Sequence, residues 1–114
     1  MFNFACKNIS MEEIVRCGFK INKTEYKVLY QLLKAKNELT INEIAKELKK
    51  NRTTVQKGIK GLLEKRLVSR RQMNLDNGGY IYVYKANDKE KLKNDLLGII
   101  NKWKEAVDDA IKNW

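Results

Sequence analysis

Between Asn51 and Lys60 the sequence reads NRTTVQKGIK, and its polar members are Asn51, Arg52, Thr53, Thr54, Gln56, Lys57 and Lys60. Such side chains donate and accept hydrogen bonds and neutralise negative charge. Cations of this kind pair with phosphates, whereas arginine, threonine and glutamine can also address the edges of bases. Val55, Ile59, Leu62 and Leu63 recur at helical spacing through the same stretch, so the polar residues occupy the side of a helix that an apolar ridge leaves open.

Little else in the chain suggests covalent chemistry. There is no histidine, so no Ser–His or Cys–His pair can form. No Walker-type phosphate loop and no G-x-G-x-x-G occurs. The adjacent acids Glu12–Glu13 and Asp108–Asp109 fall on expected helices, where neighbours diverge by about 100°. We therefore expect no enzyme. Cys6 and Cys17 are the two cysteines, too few for a zinc site without histidine, and we expect no metal and no cofactor. Two reduced thiols are the simplest reading, with a redox-sensing or inter-chain disulfide as the alternative.

Lysine and arginine number 24 against 14 acids, a net charge of +10 over 114 residues. Such an excess points to a polyanion: DNA, RNA or an acidic membrane face. Its distribution is uneven. From Lys46 to Arg71 there are ten basic residues and two acids, whereas from Asp88 to Trp114 there are six of each. No apolar run is long enough to span a membrane. The start, MFNFACKNIS, lacks the basic and apolar regions of a signal peptide. The expected location is the cytoplasm, with no membrane partner.

The elements that must hold Asn51–Lys60 are announced by helix caps. Ser10 with Glu13, Asn22 with Glu25 and Thr40 with Glu43 are three capping boxes. The first opens a helix from Met11 to Cys17, which Gly18 would end in a left-handed turn. The second opens a helix reaching Lys36–Asn37, after which Leu39 forms a strand of one or two residues. The third opens a short helix from Ile41 to Lys49. Asn51 then caps a helix from Arg52 to Lys65. A short capped helix, a tight turn and a longer capped helix make a helix-turn-helix, with Lys49–Lys50 where the turn often has glycine. Gly58 lies mid-helix, and we expect it to permit close approach to the preceding helix. Residues 1–9 give no clear reading.

Two strands follow, Leu67–Leu75 and Tyr80–Tyr84, around Asp76-Asn77-Gly78-Gly79. Asn-Gly favours a two-residue type I′ turn. That turn would pair Leu75 with Tyr80, Met73 with Tyr82 and Arg71 with Tyr84, and we expect the tyrosine face to pack inward. Asp88 caps a final helix to about Lys112. Its apolar stripe includes Leu92, Leu96, Ile99, Ile100, Trp103, Val107 and Ile111. The stripe is wider and longer than one small core requires, so we expect these residues to pack on a second copy of the chain.

The expected fold is mainly α with a small β-hairpin, an α+β winged helix-turn-helix with a long C-terminal dimerisation helix. We divide it into an extension (1–18), a winged domain (19–87) and the terminal helix (88–114). By position, Thr53, Gln56 and Lys57 are candidates for base edges and Arg52 for phosphate or guanine. Asn51 and Thr54 would meet phosphate near the helix N-terminus, and Lys60 the backbone a turn further on. Arg70, Arg71 and Asn77 would reach the flanking minor groove or its phosphates.

The segments INKTEYKVLYQLL, LTINEIAKEL, NRTTVQKGIKGLLEKRLVSRR and GGYIYVYKA, followed by a long amphipathic helix, together resemble the archaeal winged helix-turn-helix regulators, in particular small TrmB-like and MarR-like members. The resemblance runs from Phe19 to Ile111. In those families glycine often stands where this chain has Arg66. The resemblance implies a homodimer that binds double-stranded DNA, with terminal helices as the interface. No residue set points to a small-molecule effector. Two other readings stay open: a winged-helix interaction module of the transcription machinery, and a non-specific architectural DNA-binding protein.

Overall fold

The computed structural model describes residues 2–4 and 7–114. Elements run β1 (Phe2–Phe4), β2 (Lys7–Ile9), α1 (Met11–Phe19), α2 (Lys23–Lys34), α3 (Ile41–Leu48), α4 (Arg52–Glu64), β3 (Val68–Asn74), β4 (Tyr80–Ala86) and α5 (Lys89–Lys112). The stretch without a sequence reading contains an antiparallel pair, with Phe2 opposite Ile9. Cys6 lies outside the described residues, and Cys17 is an exposed free thiol.

All three capping boxes form, at Ser10, Asn22 and Thr40, each returning a bond from the glutamate three residues on. Asn51 caps α4 by accepting from the Thr54 amide at 2.8 Å. Helix ends are less conventional. Gly18 sits inside α1, and a Cβ there would meet Leu96 of α5. The left-handed residue is instead Lys20, at φ 58°. Lys49 (φ 54°) and Arg66 (φ 59°) close α3 and α4 in the same way. In each case the next residue's N–H reaches five residues back: Ile21 to Arg16, Lys50 to Ala45 and Leu67 to Leu62. This is the Schellman closure, built on cations. Their charge complements the negative helix end and offsets part of the strain of a side chain in this region.

The core gathers Val28, Leu29 and Leu32 of α2, Ile44 of α3, and Val55, Ile59 and Leu62 of α4, closed by Leu67, Val68, Tyr84 and Leu92. Leu39 forms a single bridge to Tyr84, its N–H donating at 2.9 Å and its carbonyl accepting at 2.8 Å. The hairpin register differs from expectation by one residue: Asn74 opposes Tyr80, Gln72 opposes Tyr82 and Arg70 opposes Tyr84. Leu75 bonds to Gly79, and the Gly78 N–H donates back to the Leu75 carbonyl at 3.1 Å. Gly78 has φ 91°, whereas Asn77 is not left-handed. A type I′ turn needs positive φ at both central residues; here a three-residue loop with glycine in the left-handed position takes its place. The tyrosine face still packs inward at its base, where Tyr84 is buried and Tyr82 packs against the core.

α5 uses two turns of its stripe within its own chain. Leu92 and Leu96 are buried in the fold, which removes them from the expected surface between copies. Beyond them the stripe emerges: Ile99, Ile100, Trp103 and Ile111 are exposed, and Val107 is half-buried. No helix among the described residues is long and apolar enough to cross a membrane.

Candidate nucleic-acid interface

α3 and α4 pack on each other, and Ile44 of α3 and Val55 of α4 are both fully buried in the shared core. That packing turns the opposite side of α4 outward. Arg52, Thr53, Gln56, Lys57 and Lys60 are all exposed, and Asn51 stands exposed at the N-terminus. Thr54 is half-buried, and its amide is occupied by the Asn51 side chain. The Arg52 guanidinium donates to Asn42 Oδ1 of α3 at 2.8 Å. This bond ties the first residue of α4 to the support helix and limits the rotamers of a long side chain.

Why α4 lies so close to α2 is answered by its glycines. Gly58 faces Val28 and Thr24 of α2 at ordinary contact distance, not the preceding helix α3. Gly61 is the tighter point, because a Cβ there would fall on the Glu25 carboxylate. Glu25 is buried, and its other oxygen accepts from the Asn22 N–H at 2.8 Å.

The wing completes the site. Tyr80 and Tyr82 meet edge to face with ring centres 5.6 Å apart. The Arg70 guanidinium lies 4.3 Å above the Tyr82 ring, within the range of a cation–π contact. Thr40, Ile41, Asn42, Arg52, Tyr80, Ile81, Tyr82 and Tyr84 line a cleft of about 330 Å³ between wing and helices. Arg71 points elsewhere. It donates to Glu38 at 2.9 Å through Nη2 and at 3.2 and 3.3 Å through Nε. That hydrogen-bonded arginine lowers the Glu38 carboxyl pKa below its ordinary value, with a smaller contribution from Lys85. Asn77 at the tip accepts from the Gly79 N–H at 3.3 Å.

Apart from half-buried Thr54, the α4 candidates therefore share one exposed side, while the wing's two arginines part company. The sequence singles out neither Asn42 nor Glu38, and the alternation of Tyr80, Tyr82 and Tyr84 marks Tyr82 for packing rather than for a cation. Glu38 lies 33 residues from its partner, and no local pattern links them. Among the described residues no group of three or more His, Cys, Asp or Glu side chains could hold a metal ion.

A helix-turn-helix followed by a hairpin, with a single bridge from Leu39 to the edge of the wing, defines a winged helix. Residues 14–107 match the DnaD N-terminal domain family, and the chain belongs to it. It is 34% identical over 98 residues to the uncharacterized protein MJ1503 of Methanocaldococcus jannaschii, covering 86% of this chain and 74% of that protein. A possible transcriptional regulator from Methanosarcina mazei superposes with a TM-score of 0.87 at 32% identity, over 100% of this chain and 96% of that one. The MepR–DNA complex of Staphylococcus aureus gives a TM-score of 0.53 at 18% identity, over 86% and 79% of the two chains, and shows likeness of fold alone. The winged-helix expectation and the likeness to archaeal and MarR-type regulators both hold.

Proposed function

We propose that the protein is a dimeric, sequence-specific DNA-binding transcription regulator. In this reading α4 enters the major groove and the wing lies on flanking backbone or minor groove. The observation that carries it is the exposed side of α4, where Arg52, Thr53, Gln56, Lys57 and Lys60 stand together over a buried ridge. Cations there supply affinity, and the neutral hydrogen-bonding groups supply discrimination. The M. mazei structure, described as a possible transcriptional regulator, supports the same reading. α5 continues its apolar stripe past Leu96 onto an exposed surface, and a second copy is its occupant in this proposal.

The test is a fluorescence titration against duplex DNA at several salt concentrations. Arg52→Ala and Lys57→Ala should each weaken binding and reduce the salt slope by about one phosphate contact. Affinity that is insensitive to salt, or unchanged in both variants, contradicts the reading.

One observation favours a second reading, a winged-helix protein-interaction module. Met73, Leu75, Tyr80 and Ile81 are exposed on the outer wing, and the only charge between Gln72 and Tyr84 is Asp76. An apolar, faintly acidic tip suits a protein surface better than phosphates. A stable heteromeric complex that wing-tip substitutions abolish, with weak and sequence-indifferent DNA binding, would support it.

A further inference from the structure

Arg70 and Arg71 are neighbours in a strand, so their side chains leave on opposite faces. Arg70 shares its face with Tyr82 and Tyr84 and stacks on the Tyr82 ring. Arg71 shares the other face with Val83, its cross-strand partner. Leu39 makes a single bridge to the far edge of β4 through Tyr84, which brings Glu38 next to that edge. To reach Glu38, Arg71 spans β4. It does so with three hydrogen bonds, and buried Val83 lies on the face it crosses. The contact joins the wing to the segment that links α2 to α3.

We propose that the Glu38–Arg71 pair is a clamp that fixes the wing relative to α4, so that Arg71 is a positioning residue and Arg70 alone of the two meets the nucleic acid. The inference rests on the DNA-binding reading above. It has a consequence opposite to simple charge counting: Glu38, an acid on a polyanion-binding protein, strengthens binding. The pair is partly exposed, with Glu38 28% and Arg71 58% accessible, so the expected effect is small, but its sign is decisive.

The experiment compares Glu38→Gln, Arg71→Gln, Arg70→Gln and the swap Glu38→Arg/Arg71→Glu. It has two readouts: affinity for duplex DNA as a function of salt, and hydrogen exchange at the Leu39 and Tyr84 amides of the free protein. Glu38→Gln and Arg71→Gln should each weaken binding by about threefold, the range of exposed ion pairs, speed exchange at both amides and leave the salt slope unchanged. Arg70→Gln should lower the slope by about one and leave exchange alone. The swap should restore slow exchange and most of the affinity. Tighter or unchanged binding by Glu38→Gln overturns the proposal, as does an Arg71→Gln variant that loses slope with exchange intact. If the wild-type chain binds no duplex, the functional reading fails, and exchange alone then decides whether the clamp exists.

Discussion

Glu25 lies between two elements. One carboxylate oxygen completes the cap of α2, and the other faces Gly61 of α4. Helix propensity alone would favour alanine over glycine by roughly 1 kcal/mol at either glycine. At Gly58 nothing opposes that gain beyond an ordinary contact with Val28, so Gly58→Ala should stabilise the fold by up to about 1 kcal/mol. At Gly61 a Cβ displaces Glu25 from a buried site and breaks the capping box, so Gly61→Ala should cost about 1–2 kcal/mol net. Urea unfolding of the two variants measures this; equal stabilisation by both would show that Glu25 is free to move. The caps themselves were legible in the sequence because a capping box is local, a residue and its third successor. Left-handed Lys20, Lys49 and Arg66 were not, since nothing in a lysine or arginine announces positive φ. The split between Arg70 and Arg71 depends on a strand face and on a distant acid, and only the fold reveals it.

At the scale of elements, the hairpin shows how turn chemistry sets register. Asn77–Gly78 was a sound turn signal, and the turn is there. A loop one residue longer than expected shifts every partner by one, which places Gln72 rather than Met73 opposite Tyr82. At its base the tyrosine face packs inward because burial of Tyr84 against the core, with Leu39 bonded along it, constrains β4 independently of the loop. α5 was legible as a helix to its last turn, but its division of labour was not. Periodicity marks an apolar stripe without saying which part meets the chain's own core. Leu92 and Leu96 do so, and Ile99, Ile100, Trp103 and Ile111 stand exposed. Burying a side chain of this size is worth roughly 1.5–3 kcal/mol. If the proposed dimer forms through this face, Ile100→Glu/Trp103→Glu should therefore convert it to a monomer by light scattering while leaving the helical circular dichroism in place. An unchanged dimer mass would move the interface elsewhere.

For the whole molecule, charge and shape separate two tasks. The principal extents are 66 × 23 × 23 Å, and α5 alone contributes about 36 Å of length at the usual helical rise. Counted from its cap Asp88 to Trp114 the charges cancel, whereas the excess sits on α3, α4 and the first wing strand. One end can thus face a polyanion while the terminal helix meets a second copy, and two-fold pairing would present two α4 helices together. Under the proposed function, symmetric presentation would require two half-sites related by a pseudo-dyad, about 34 Å apart. The measurement that tests this most directly is selection of bound duplexes from a random pool. A sequence-specific dimer should yield one enriched pseudo-palindrome with half-sites about one helical turn apart, bound in a salt-dependent manner and lost in Gln56→Ala/Lys57→Ala. A pool that emerges with no preferred sequence would contradict it and would leave a non-specific DNA coat or a protein-docking module in its place.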